Sequence, residues 1–144
     1  LKTMLCDANR MLRDGRSAEA HIAYQHLIDI DMPLCRHRRR FLAAAHLGRA
    51  AILIDRDEYR MADEEIRLAS VIYEMDGDHT MGERTAALSD FCDIAIHTGD
   101  ASELEVVWSQ YHNQLDDPGA DPIDVVIGLL TDAVMRTINT HQAV

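Results

Sequence analysis

Eight histidines, three cysteines and twenty-five carboxylates are the side chains of this 144-residue chain that could hold a metal or drive catalysis. Their spacing argues against both. Structural and catalytic zinc sites gather His and Cys ligands at short helical or loop intervals. No two histidines here stand four apart on one helix face, and His21 and His26 are five apart. Cys35 and His37 form the closest pair, but they flank and enter the run Arg36-His37-Arg38-Arg39-Arg40, whose positive charge opposes a cation. Covalent catalysis needs a nucleophile activated by a neighbouring base. Cys92 falls instead in a slot of small packing residues, which predicts a buried and inert thiol. No phosphate-cradling glycine loop, nucleophile elbow or His-Glu metal motif occurs. The carboxylates run along helical, solvated faces with nothing to mark a pair for acid/base work. The expectation is a protein without enzymatic activity, metal or cofactor.

The elements that position these residues read as helices throughout. Seven segments show 3.6-residue apolar periodicity: about 2–14, 17–31, 34–55, 58–74, 83–98, 101–115 and 122–140. Ser17 reads as an N-cap for the second, and Pro33 ends it or opens the third. Short β-branched runs at Val106-Val107 and Val125-Val126-Ile127 sit inside helical periodicity, so the class is all-α. The first helix is under way almost at once after Leu1, which is not a methionine, as expected of a piece of a longer polypeptide. A charged-then-apolar leader is absent from the chain, and so is an apolar run near the ~18 residues that span a bilayer. With an odd number of cysteines and no CxxC, a reducing, cytoplasmic setting fits best.

Charge is polarised. Residues 1–49 hold nine Lys/Arg and five Asp/Glu, a balance of +4, against −15 over residues 50–144. Phosphate contacts need a continuous basic footprint, so nucleic-acid binding by this segment is not expected, nor is membrane association. Four arginines at the start of the third helix oppose its dipole. The simplest partners are Asp29 and Asp31. The alternative is self-association, in which Arg36, Arg38, Arg39 and Arg40 meet the acidic half of a second copy.

One period organises the whole pattern. Ala20, Ala62 and Leu104 are spaced by 42 residues, and the same offset aligns Ala8/Ala50/Cys92, Met11/Leu53/Ala95, Tyr24/Ile66/Trp108 and Leu27/Ala69/Tyr111. A loop slot recurs as Gly15, Asp57 and Gly99, where a tight turn favours glycine or aspartate. Fixed-period similarity marks stacked units that cannot bury their apolar faces singly. Gly15, Ala20, Tyr24, Leu27 and the exit Asp31-Met32-Pro33 resemble the second half of a tetratricopeptide repeat, best over Leu12 to Ala20. The resemblance spans residues of about 4 to 117. The 42-residue period is longer than that family's usual one and is similar to the repeats of kinesin light chains and some bacterial regulators. HEAT-type repeats also approach this length, and the Gly/Ala/aromatic slots favour the tetratricopeptide reading over them. Asp7 and Arg49 stand where that pattern has an apolar residue.

The resemblance implies a single solenoid domain over residues 1–144: units of about 2–32, 34–76 and 83–117, and a C-terminal capping helix of about 122–140 over the exposed end. It also implies a concave groove lined by Leu5, Asn9, Leu12 and Arg13 in unit one, Leu47, Ala51, Ile54 and Asp55 in unit two, and Ser89, Asp90, Asp93, Ile96 and His97 in unit three. Thr131, Asp132 and Met135 follow from the last helix. Of these only Asn9 suits a clamp for acidic C-terminal tails. A groove running from mixed to acidic suits an apolar or basic segment, such as an amphipathic helix seated by i, i+3/i+4 anchors. The expected function is a non-catalytic scaffold, adaptor or chaperone that binds proteins or peptides. The alternative is the signal-sensing repeat domain of a larger bacterial transcriptional regulator.

Overall fold

The structure, a computed structural model, describes residues 1–30, 35–97, 102, 106 and 121–142. Its described elements are α1 (Lys2–Arg13), α2 (Ser17–Asp29), α3 (Arg36–Asp55), α4 (Tyr59–Met75), α5 (His79–His97) and α6 (Pro122–Gln142), with no strand among the described residues. The all-α expectation holds to that extent. The expected helix over 101–115, with Leu104, Trp108 and Tyr111, lies outside the described residues apart from Ser102 and Val106, as do Gly99 and Asp31-Met32-Pro33.

Three reversals share one backbone device. Gly15, Asp57 and Gly77 follow α1, α3 and α4 with positive φ values of 80°, 59° and 70°. In each, the next amide donates to the carbonyl five residues back: Arg16 to Met11, Glu58 to Leu53, and Asp78 to Tyr73, all at 2.9 Å. This left-handed closure satisfies end carbonyls that the helix itself leaves open. The 42-residue loop slot is therefore one geometry at Gly15 and at Asp57. The first-turn alanines behave alike as well: the Ala20 amide donates to Arg16 O at 2.9 Å, the Ala62 amide to Glu58 O at 3.0 Å, and both side chains are fully buried.

Some helix starts differ from the sequence reading. Arg16, not Ser17, occupies the N-cap of α2, with no side-chain cap bond. Its guanidinium instead pairs with Glu19. α5 begins at His79 rather than near Glu83, because the Asp78 carboxylate accepts from the Met81 amide at 3.1 Å and starts the helix early. Asp121 does the same for α6, accepting from the Ile123 amide at 2.9 Å, with Pro122 at the first helical position.

α3 is the hub. Neighbours in sequence pack in turn, α1 on α2, α2 on α3, α3 on α4 and α4 on α5, while α3 also meets α1 and α6. Ala43, Ala44, Ala45, Ala50 and Ala51 are buried all round it, so four helices reach its axis closely. One close approach is at Gly48, where a Cβ would lie 2.3 Å from Cζ of Tyr24 on α2.

Two of the arginines at its N-terminus have partners beyond the Asp29 and Asp31 expected for them, and Asp31 lies outside the described residues. Arg38 is buried and donates from Nη2 to the carbonyls of Ile30 at 2.9 Å and Ile28 at 3.4 Å, so its positive charge sits on the carbonyl end of α2. Arg39 pairs with Asp76 at 2.6 Å, and Arg36 and Arg40 are exposed.

The last helix returns to α1 and α3, and among the described residues it does not approach α5. Its face of Ile123, Val126, Ile127, Leu130, Ala133, Val134 and Ile138 is buried, a stripe at i, i+3/i+4 spacing that fits the small-residue surface of α3. Among the described elements α5 packs on α4 and does not approach α3.

Candidate functional site

The face that α1 and α3 share holds α6, and beside α6 runs a furrow of three cavities. The middle one, about 400 Å³, is walled by Leu12 and Arg13 of α1, Ala51 and Asp55 of α3, and Val125, Gly128, Leu129, Asp132 and Arg136 of α6. A cavity of about 190 Å³ continues it toward the start of α6 and shares Arg13 and Val125. Another of about 490 Å³ continues it past the end of α3 and shares Asp55 and Arg136. The two larger volumes fall in the range of ordinary ligand pockets.

The Arg136–Asp55 ion pair forms the wall between the two larger cavities. Nε of Arg136 lies 2.9 Å from one carboxylate oxygen and Nη2 lies 2.7 Å from the other, the two-point geometry in which guanidinium and carboxylate bond most strongly. Asp55 raises the Arg136 pKa, opposed by partial burial. Beyond that wall Tyr59 donates to Asp57 at 2.8 Å. Burial first, and then the Asp57 carboxylate, push its phenol up to about 12, so it stays a donor. At the other end Asn9 fixes the helix that lines the furrow. Its Nδ2 donates to Pro122 O at 2.9 Å and its Oδ1 accepts from Tyr24 OH at 2.7 Å, so α1, α2 and α6 meet at one buried amide. The rim runs from basic, with Arg10 and Arg13, to acidic, with Asp132, Asp55 and Asp57.

The residues assigned to a groove divide into four sets. Leu12, Arg13, Ala51, Asp55 and Ile54 line the furrow, with Ile54 in the cavity beyond Arg136. Leu5 and Leu47 are buried in the core, and Asn9, although it edges the smallest cavity, is only 3% exposed. Met135 is half-buried on α6. Ser89, Asp90, Asp93, Ile96 and His97 stand apart on α5: Ser89 donates to Asp63 at 2.6 Å, while Asp90 and His97 are exposed. The walls that sequence reasoning missed come from α6, chiefly Gly128, Leu129 and Arg136. An apolar stripe gives no sign of which surface it will cover.

A second polar cluster lies buried between α2, α3 and α4. Glu65 accepts from His46 Nδ1 at 2.6 Å through one oxygen and lies 3.3 Å from Arg49 Nη2 through the other. Arg49, in a slot where the repeat pattern wants an apolar side chain, thus has a buried counter-ion. Nearby, His21 Nδ1 is buried without a hydrogen-bond partner among the described residues. Burial lowers the His21 pKa below 6.5, Arg49 and Arg56 lower it further, and Glu65 and Glu58 act against them. With the folded value below the unfolded one, the unfolded chain binds more protons in that window, so stability rises with pH there. Acidification below about pH 6.5 should therefore lower the urea midpoint. His21→Gln should flatten that part of the profile, and an unchanged slope in the variant would count against the assignment.

No group of three or more His, Cys, Asp or Glu side chains among the described residues is placed to hold a metal ion. Cys92 is buried, and burial, then Asp63 and Asp93, push its thiol pKa up, so it is a poor nucleophile there. No helix among the described residues is long and apolar enough to cross a membrane. No protein-family model matches this chain, and no curated protein and no solved structure matches it either.

Proposed function

We propose that the chain is a non-catalytic protein-interaction module of tetratricopeptide-like helical hairpins, a scaffold, adaptor or chaperone that takes a peptide segment along the furrow beside α6. The observation that carries this reading is the alignment of three adjoining cavities, each sharing wall residues with the next along one helix. The face of α1 and α3 already seats one amphipathic helix through i, i+3/i+4 anchors, which is the mode of recognition expected of a partner. In this reading an apolar anchor enters between Leu12, Ala51 and Leu129, and basic side chains of the segment meet Asp132 and the acidic end.

Gly128 gives the test. A Cβ there meets nothing within 4 Å, so a larger side chain enters the middle cavity rather than the core. Gly128→Ala should bind like the wild type and be more stable by about 0.5–1 kcal/mol, since glycine inside a helix is costly. Gly128→Phe should keep the helical circular dichroism and weaken binding about tenfold or more, about 1.4 kcal/mol. The probe is a fluorescein-labelled amphipathic peptide with leucine anchors and intervening lysines, titrated by anisotropy at low and high salt. Wild-type binding that is unaffected by Gly128→Phe would refute the furrow as its site.

A further inference from the structure

The outward side of α4 carries large apolar side chains that stand exposed, with no described element packed over them. Met61, Leu68, Val71 and Met75 are each at least half exposed, and Met75 is 67% exposed. On the other side of the helix Ala62, Ile66, Ala69 and Ile72 are buried. α4 therefore carries a second apolar row, interrupted by the exposed Glu64, whereas a helix at the surface of a monomer needs one. The outer row is symmetric along the chain: Met61 and Met75 each lie seven residues from Leu68, and Arg60 and Glu74 each lie seven from Arg67. A spacing of seven keeps side chains on one seam.

The charges have the matching asymmetry. Arg60 and Glu74 are opposite in sign, and neither has an ion-pair partner among the described residues. Arg67, at the midpoint, is held by Asp63 at 2.8 Å. Shape adds to this: beside Met61 a cavity of about 410 Å³ opens between the start of α4 and the end of α5, with Ala95 and Ile96 on its wall.

We infer that the exposed face of α4 is a homodimer interface in which two copies pair antiparallel about a two-fold axis near Leu68. A two-fold interface must be complementary to itself under reversal. Reversal here sets Leu68 against Leu68 of the partner subunit and brings Met75 of the partner subunit to the cavity beside Met61. It also sets Glu74 of the partner subunit beside Arg60. The two copies of Arg67 meet with their charge already balanced by Asp63. One 17-residue helix from each copy makes a contact about 25 Å long, which is small for a permanent dimer. The association is therefore reversible and concentration-dependent.

Sedimentation equilibrium of the 144-residue chain across about 5–500 µM tests it. The wild type should pass from monomer to dimer, and Leu68→Glu should stay monomeric with unchanged helical circular dichroism. Arg60→Glu and Glu74→Arg should each weaken the dimer, and the double variant R60E/E74R should restore it, because the swapped charges meet again across the axis. A wild type that remains monomeric throughout overturns the inference. So does a dimer indifferent to Leu68→Glu, which would use another surface. Slow alkylation of Leu68→Cys in a monomeric sample would show that another part of this chain covers the face, and the inference would fail.

Discussion

Replacing Gly48 with alanine should lower the stability of the fold by about 3 kcal/mol, the upper part of the usual cost of overfilling a packed core. The added Cβ would sit 2.3 Å from Cζ, 2.5 Å from Cε1 and 2.7 Å from Cε2 of Tyr24, so the methyl group strikes the end of the ring. The ring has nowhere to go. Tyr24 is fully buried, and its hydroxyl donates to Asn9 at 2.7 Å, which in turn holds Pro122. Displacing it would break the junction of α1, α2 and α6 and leave a buried amide oxygen without its donor. Burial also pushes the Tyr24 pKa up, so the phenol remains a donor at any physiological pH. Urea denaturation is the measurement, and the double variant G48A/Y24A makes it specific. In the Tyr24→Ala background there is no ring to strike, so Gly48→Ala should add almost nothing to the cost of Tyr24→Ala itself. If the two costs simply add, the contact is not the cause.

Glu65→Ala should cost about 3 kcal/mol, for an electrostatic reason rather than a steric one. The carboxylate is shared between His46 at 2.6 Å and Arg49 at 3.3 Å, with side-chain exposures of 12% for Glu65, 11% for His46 and 17% for Arg49. Removing the acid leaves the guanidinium in a site with little water and no counter-ion, the costly half of a broken buried pair. Arg49 retains some solvent contact, which places the loss at the lower end of the range for such pairs. Replacing Arg49 and Glu65 together by Leu should recover most of it, since exchanging a whole buried pair for apolar groups of similar size is often neutral. A double variant as unstable as Glu65→Ala alone would mean that packing, not charge, explains the loss.

Much of the helical frame was legible because its signals are local. The 42-residue offset put Ala8, Ala50 and Cys92 in equivalent slots, and all three are fully buried. The turn slot was legible at Gly15 and Asp57 because the left-handed residue that closes a helix is of few types. The start of α5 was not, since Asp78 both closes the turn after α4 and caps the next helix. Contacts between distant segments left no trace. Arg136 and Asp55 are separated by 81 residues, and neither type nor spacing announces the pair. Of the furrow, the α1 and α3 walls could be placed because they follow helix register. Of the α6 walls only Asp132 was named, because the apolar stripe of that helix would serve equally on the end of a stack or along its side. Arg49 looked like a flaw in an apolar slot until Glu65, on the next helix, supplied its counter-ion.

The return of α6 shapes how the chain reaches its native state. From α1 to α5 each helix packs on the one before it, so those contacts close short loops at little entropic cost. The bond from Asn9 to Pro122 spans 113 residues, and the surface that receives the last helix is made by α1 and α3 together. Docking of α6 thus closes a far longer loop than any contact between neighbouring helices, and its attachment depends on two helices near the other end of the chain.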